Sequence, residues 1–360
     1  MQRTRWFVML VLILAACSSH FLESCTSFCF RADGHWVFGR NYDWDVAHAV
    51  VMVNHRGVAK RGFVTENAAR WVSRYGSVTF NQYGREFPLG GMNEASLVVE
   101  CMWLNATEYP HFDDRPQLHT LQWIQFQLDT ADSVAAVVAG IDRFRISQYF
   151  AQPLHFLVAD ASGNAAVVEF LEGEARVYTG AELPVTVLAN STYRHSLALL
   201  NMLGSGEEAS AFSHADLSLK RFVRAARGVS EWSEGEGLGA VAYAFGVLDE
   251  VAMKRTVFRV VYEPGGKRIH FLTRAHPSPR VVRMDAFEYE CAGEVYFLDM
   301  ATPTQGDVTS SFKTFSSADN QALIEKAFKE TSFLKDTPRE MLDKLAGFPD
   351  TLCCAEDAGD

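Results

Sequence analysis

Two hydrophobic patterns divide the chain. Behind Arg3 and Arg5, residues Trp6 to Ala16 read "WFVMLVLILAA", an unbroken apolar run. It falls short of the roughly 20 residues a bilayer span requires, so basic residues followed by a short apolar stretch predict a secretory leader over 1–24. From residue 25 onward the pattern changes to short segments broken by turns. "CTSFCF" and "HWVFGRNYD" flank Asp33-Gly34, a two-residue hairpin signal. "VVMVNHRG" reads as a strand and turn, and "LGGMNEASLVVECMWL" (89–104) as a turn followed by a strand. Residues 117–141 carry two helical patterns, with Thr130 and Asp132 as candidate caps of the second. Strands return in "LHFLVADASGNAAVVEFLEGEARVYTG" and "PVTVLAN" (184–190). Helical stretches follow near 193–203, 217–227 and 237–253. A hairpin about Pro264-Gly265-Gly266 and the strand "GEVYFLDM" precede two closing helices near 318–330 and 337–346. Strands come in groups with helices between the groups, which predicts an α+β fold with antiparallel sheets packed in layers.

Composition narrows the class. Of 360 residues 48% are apolar and 21% charged, enough for a sizeable core. The net charge of −11, with no basic cluster, argues against a nucleic-acid partner. Residues 25–350 read as a single domain and 351–360 as an acidic tail. The leader ends "LAAC", which fits a lipoprotein signal that would lipidate Cys17; a general signal-peptidase site nearby fits as well. Seven cysteines are present, at spacings that match no zinc pattern, and the eleven histidines form no HExxH. A chain of this length does not depend on disulfides for its core, so at least one cysteine is expected to serve chemistry.

Cys25 is that cysteine. Removal of the leader would give it a free α-amine beside its own thiol. With reference values of about 7.7–8 and 8.5, the two groups can exchange a proton near neutral pH without a histidine. The hairpin folds "GRNYDWD" back beside residue 25, which brings Arg40 to stabilise a thiolate and Asp43 to orient the ammonium. Cys25 and Cys29 share a strand face but stand four residues apart, too far for a disulfide.

The pieces "CTSF", "GRNYDWD", "GMNEASLVVECMWLN", "VLANSTY" and "KRFVRA", in this order over residues 25 to about 300, resemble the choloylglycine hydrolase and penicillin V acylase family of N-terminal nucleophile hydrolases. The resemblance implies a four-layer αββα sandwich of two antiparallel sheets between helical layers. It makes Cys25 the nucleophile and base, Arg40 and Asp43 its partners, Asn190 an oxyanion donor and Arg221 a support of the charge network. A second oxyanion donor is a backbone N–H. Counting from Asn93 gives Trp103, whereas matching the "LN" dipeptide gives Asn105. Trp44 and "MWL" resemble the Gram-negative branch, with Trp44 and Trp103 lining an acyl pocket.

The function so implied is an exported amidase, periplasmic or associated with the outer membrane. It hydrolyses linear amides with an apolar acyl group, penicillin V and N-acyl homoserine lactones, with conjugated bile salts as the alternative. No cofactor and no metal are implied. Members of the family are often tetramers, so a homotetramer is the implied assembly. A reading of another class is an envelope lipoprotein, anchored through Cys17, that binds acyl compounds without turnover. Lipidation there would leave Cys25 internal and its amine blocked.

Overall fold

A computed structural model describes residues 25–32, 34–149, 151–204, 216–233 and 239–357. The leader and the lipidation signal at Cys17 lie outside the described residues. Strands β1 (Thr26–Ala32) and β2 (His35–Asp43) form the expected opening hairpin. Gly34 has φ +76°, the positive value that tight hairpin turns demand. Next come β3 (Val50–Asn54), β4 (Val58–Arg61), β5 (Arg70–Val72), β6 (Ser77–Asn81), β7 (Pro88–Asn93) and β8 (Val98–Trp103).

Residues 89–104 are therefore a hairpin of two strands and not a turn followed by one strand. The turn uses no glycine. Ser96 takes φ +64°, and Asn93 holds the bend by accepting from the Leu97 N–H at 2.9 Å. An asparagine side chain that replaces a backbone partner leaves a weaker trace in sequence than Gly does.

Strand β9 (Gln117–Leu118) leads into helices α1 (Thr120–Thr130) and α2 (Val134–Ala139). Thr130 does not cap α2: it closes α1, and its hydroxyl donates to the Phe126 carbonyl at 2.7 Å. Ser133 is the cap and accepts from the Ala136 N–H. After β10 (Arg145–Ile146), strands β11 (Leu154–Ala159), β12 (Ala165–Leu171) and β13 (Glu174–Thr179) make a meander. Then follow β14 (Val187–Leu188), α3 (Tyr193–Gly204), α4 (Leu217–Ser230) and α5 (Ala240–Glu250). The hairpin β15 (Thr256–Glu263) and β16 (Arg268–Thr273) precedes β17 (Arg280–Arg283), β18 (Tyr296–Asp299), β19 (Gly306–Asp307) and β20 (Lys313–Thr314). Helices α6 (Ser317–Glu330) and α7 (Arg339–Gly347) and the short β21 (Cys353–Cys354) come last.

Two large sheets carry the site. One has seven strands in the order β14-β1-β2-β15-β16-β17-β19, the other nine in the order β13-β12-β11-β8-β7-β6-β3-β18-β20. Pairing is antiparallel throughout these sheets except between β17 and β19, a two-residue parallel contact at one edge. The sheets stack through aromatic side chains: Phe80 of β6 lies 5.7 Å from Phe258 and 5.9 Å from Phe271, ring centre to ring centre. Helix α1 packs against β7 and β8, and α4 and α5 pack against β1, β2 and β15. The result is the expected α-β-β-α layering. In α4 the buried Phe222, Ala225 and Ala226 join the main core under the sheet, while Leu219 and Val223 pack against Leu199 and Leu203 of α3.

The segment read as an acidic tail is tied into the body over its described part. Cys353–Cys354 pairs with β4, and Cys354 forms a disulfide with Cys291.

Candidate active site

The register of the opening hairpin sets Thr26 opposite Asn41, so Cys25, immediately before β1, comes abreast of Tyr42 and beside Asp43. Its Sγ lies 3.9 Å from the Asp43 carbonyl oxygen. Arg221 reaches this point from α4, the one cation among the buried residues of that helix. Its Nη1 donates to the Cys25 carbonyl at 2.6 Å and to Thr26 Oγ1 at 2.6 Å, and its Nη2 donates to Asn190 Oδ1 at 2.9 Å. With its carbonyl fixed, Asn190 directs Nδ2 at the Trp103 carbonyl, 2.9 Å away. The amide side chain is thus not used as a cap for α3. One hydrogen-bonded string joins Cys25, Arg221, Asn190 and Trp103 across both sheets.

Arg40 and Asp43 stand on the same strand with different partners. Arg40 Nη1 pairs with Glu100 at 2.8 Å, and Nη2 donates to the Cys101 carbonyl at 2.9 Å. It acts on Cys25 through its field and not through a hydrogen bond. Burial lowers the guanidinium, but the ionisable groups around it, Glu100 foremost with Cys101, Cys25 and Tyr42, together more than offset this and the Arg40 pKa is raised. Asp43 accepts from the Thr256 hydroxyl at Oδ1, while Oδ2 is buried with no hydrogen-bond partner. Burial raises the Asp43 carboxyl to about 6, against the pull of Thr256, Arg221 and Arg40. With Ser24 ahead of it in the chain, the Cys25 nitrogen is an amide. In that form burial pushes the thiol up to about 11, with Arg40 opposing. Cys29 and Cys101 are also buried free thiols, both raised to about 12 chiefly by burial.

Cys25 opens onto a cavity of about 920 Å³. Arg40, Trp44, Cys101 and Trp103 line it with Cys25; Asp43, Asn190, Arg221 and Asn105 lie off its surface. Trp44 and Trp103 are half-buried, with ring centres 5.9 Å apart and planes 32° from parallel. Asn105 accepts from the Trp103 indole N–H at 2.9 Å. The Leu104 amide donates to Pro153 on the β11 side, so strand alternation turns the Trp103 amide the other way. Among the described residues no group of three or more His, Cys, Asp or Glu side chains is placed to hold a metal ion.

Comparison with known proteins gives the family and the fold. Residues 25–231, a match that begins at the candidate nucleophile, fit the model of the linear amide C-N hydrolases, choloylglycine hydrolase family. The chain belongs to this family. Penicillin V acylase of Pectobacterium atrosepticum is 24% identical over 174 residues, which are 43% of this chain and 46% of that protein. The chain thus spans about half the length of this curated relative. The structure of penicillin V acylase from Agrobacterium tumefaciens superimposes with a TM-score of 0.70 at 25% identity, covering 81% of this chain and 98% of that one. A variant of conjugated bile acid hydrolase from Clostridium perfringens gives 0.65 at 17% identity, over 78% of this chain and 98% of the other, a likeness of fold. The fold of this family member is that of the N-terminal nucleophile hydrolases.

Sequence reasoning missed three supports of the site. Glu100, the ion partner of Arg40, was visible as a lone charge inside the apolar run "VVECMW". Ser218, whose hydroxyl accepts from the Asn190 N–H at 2.8 Å, and Thr256 left no signal, since each acts across a long stretch of chain.

Proposed function

We propose that this protein is an exported amidase that hydrolyses linear amides carrying an apolar acyl group, with Cys25 as nucleophile once its amine is free. The observation that carries the reading is the position of Cys25: its thiol lines a largely apolar cavity, while its carbonyl is held by Arg221 in line with Asn190. The freed amine takes the thiol proton, and the orphaned Asp43 Oδ2 is a ready acceptor for the ammonium that forms. The sulfur attacks the amide carbon. Asn190 has two N–H groups and gives one to Trp103, so the second is available to the oxyanion. The backbone N–H of Trp103 is favoured over that of Asn105 as the other donor, because Trp103 lines the cavity. The ammonium then protonates the leaving nitrogen, and water hydrolyses the thioester.

The tryptophan pair makes a flat apolar slot next to the thiol, which supports phenoxyacetyl and alkyl acyl groups over a steroid. Penicillin V and N-acyl homoserine lactones are the proposed substrates. The test is a hydrolysis screen of protein beginning at Cys25 against penicillin V, acyl homoserine lactones and glycine-conjugated bile salts. Hydrolysis of the first two is expected, and Cys25→Ala should abolish it without changing the thermal midpoint by more than a few degrees. Failure on all three classes, or turnover by the alanine variant, would overturn the proposal.

A further inference from the structure

The cavity is not built by the family-matched residues alone. Phe328, Phe333, Leu334, Met341, Leu345 and Phe348 also line it. All six come from the C-terminal segment that holds α6 and α7, beyond the matched residues 25–231. Two aromatic clusters lie on its walls, and each takes one ring from this segment. In the first, Phe333 sits 6.3 Å from Trp44 and 6.3 Å from Trp103. In the second, Phe348 lies 5.1 Å from Phe63 and 5.9 Å from Phe87.

The segment is fixed to the body at several points. The Trp44 indole N–H donates to the Tyr83 hydroxyl at 2.7 Å, and that hydroxyl meets Thr331 Oγ1 at 2.9 Å. Asn320 accepts from the Arg85 N–H and donates to the Ala346 carbonyl. The Cys291–Cys354 disulfide holds the far end.

We infer that residues 317–351 form the acyl-binding wall, that Phe333 and Phe348 are specificity-determining residues, and that the acyl group they select is a long unbranched alkyl chain. The first cluster, beside the thiol, covers the part of the acyl group next to the amide. The second receives the tail. A phenoxyacetyl group fills the first cluster and leaves the second empty, whereas about 920 Å³ is near the upper end of the roughly 300–1,000 Å³ of ligand pockets. Phe112, Tyr149 and Phe333 are large apolar side chains left exposed around the same cavity, surface that a long chain would cover.

This inference rests on the amidase reading for its substrate and is tested with and without turnover. With N-hexanoyl and N-dodecanoyl homoserine lactone, the wild type should favour the longer amide at least about tenfold in kcat/KM. Phe348→Leu should cut that ratio several-fold. Phe333→Ala should raise KM for both amides with a smaller change in kcat. Unchanged ratios and KM values in folded variants would overturn the inference. Independently, dodecanoate added to the wild-type protein should slow amide hydrogen exchange within residues 317–351, and no protection there would overturn it whatever the variants do. Protection together with no hydrolysis of either amide would leave the wall standing and defeat the amidase reading.

Discussion

The floor and the wall of the cavity are held together by different physics. On the floor Cys25 and Arg40, and behind it Asn190 and Arg221, are fixed by directional hydrogen bonds and an ion pair between elements far apart in sequence. The wall that includes Phe333 and Phe348 is anchored at its edges by hydrogen bonds and a disulfide, but its lining is shaped by ring packing and apolar burial, which tolerate changes of shape. Chemistry on a developing charge needs donors aimed at one point, and an acyl group needs only a dry surface of the right width. The floor lies within the family-matched residues, whereas the wall draws on a segment outside them. Reaction type and substrate range should therefore be separable by mutation.

The largest expected effect is on the floor. Asn190→Ala would remove the proposed oxyanion donor and should lower kcat by about 10²–10³-fold for every acyl group alike. Alkylation of Cys25 by iodoacetamide should proceed at nearly the wild-type rate. An effect that depends on acyl length would place Asn190 with the wall.

The second effect is one of pH. In the uncleaved chain Asp43 is raised to about 6 from an ordinary 3.8, because burial disfavours its charge. A carboxyl whose folded pKa is raised stabilises the fold at low pH and loses that contribution as pH rises through about 6. Asp43→Asn should therefore be more stable than wild type at pH 7, by about 1–3 kcal/mol, with the gain vanishing near pH 3.5. Thermal melts at the two pH values check this. On a chain that starts at Cys25 the ammonium would supply the missing partner, and the gain should shrink. A gain independent of pH would contradict this account of Asp43.

The smallest effect is on the wall. Trp44→Ala should lower kcat/KM about tenfold for phenoxyacetyl amides. A short alkyl amide, and the thiol's rate of alkylation, should change much less. Equal losses for all substrates would mean that Trp44 supports the floor.

How much of this was readable beforehand depended on how local the cause was. Asp33-Gly34 announced the hairpin, and the hairpin brought Cys25 to Asp43. Helical spacing announced α4, whereas Arg221 was picked out by the family resemblance and not by the local pattern. The pairing of Arg40 with Glu100 and of Asp43 with Thr256 depends on how the strands are ordered and stacked, which no local pattern encodes. The partner of Cys354 was equally hidden, since spacing does not determine disulfide connectivity. The two closing helices were evident from their periodicity, but their approach to the cavity was not. An apolar helix face shows that something is covered, not what.

The most direct test of the central claim, that Cys25 works through its own freed amine, is the intact mass of the active protein with and without a trapped acyl group. The account predicts a chain beginning at Cys25, with the acyl mass on its first residue after a rapid quench. An active chain that begins upstream of Cys25, or an acyl group on another residue, would contradict it.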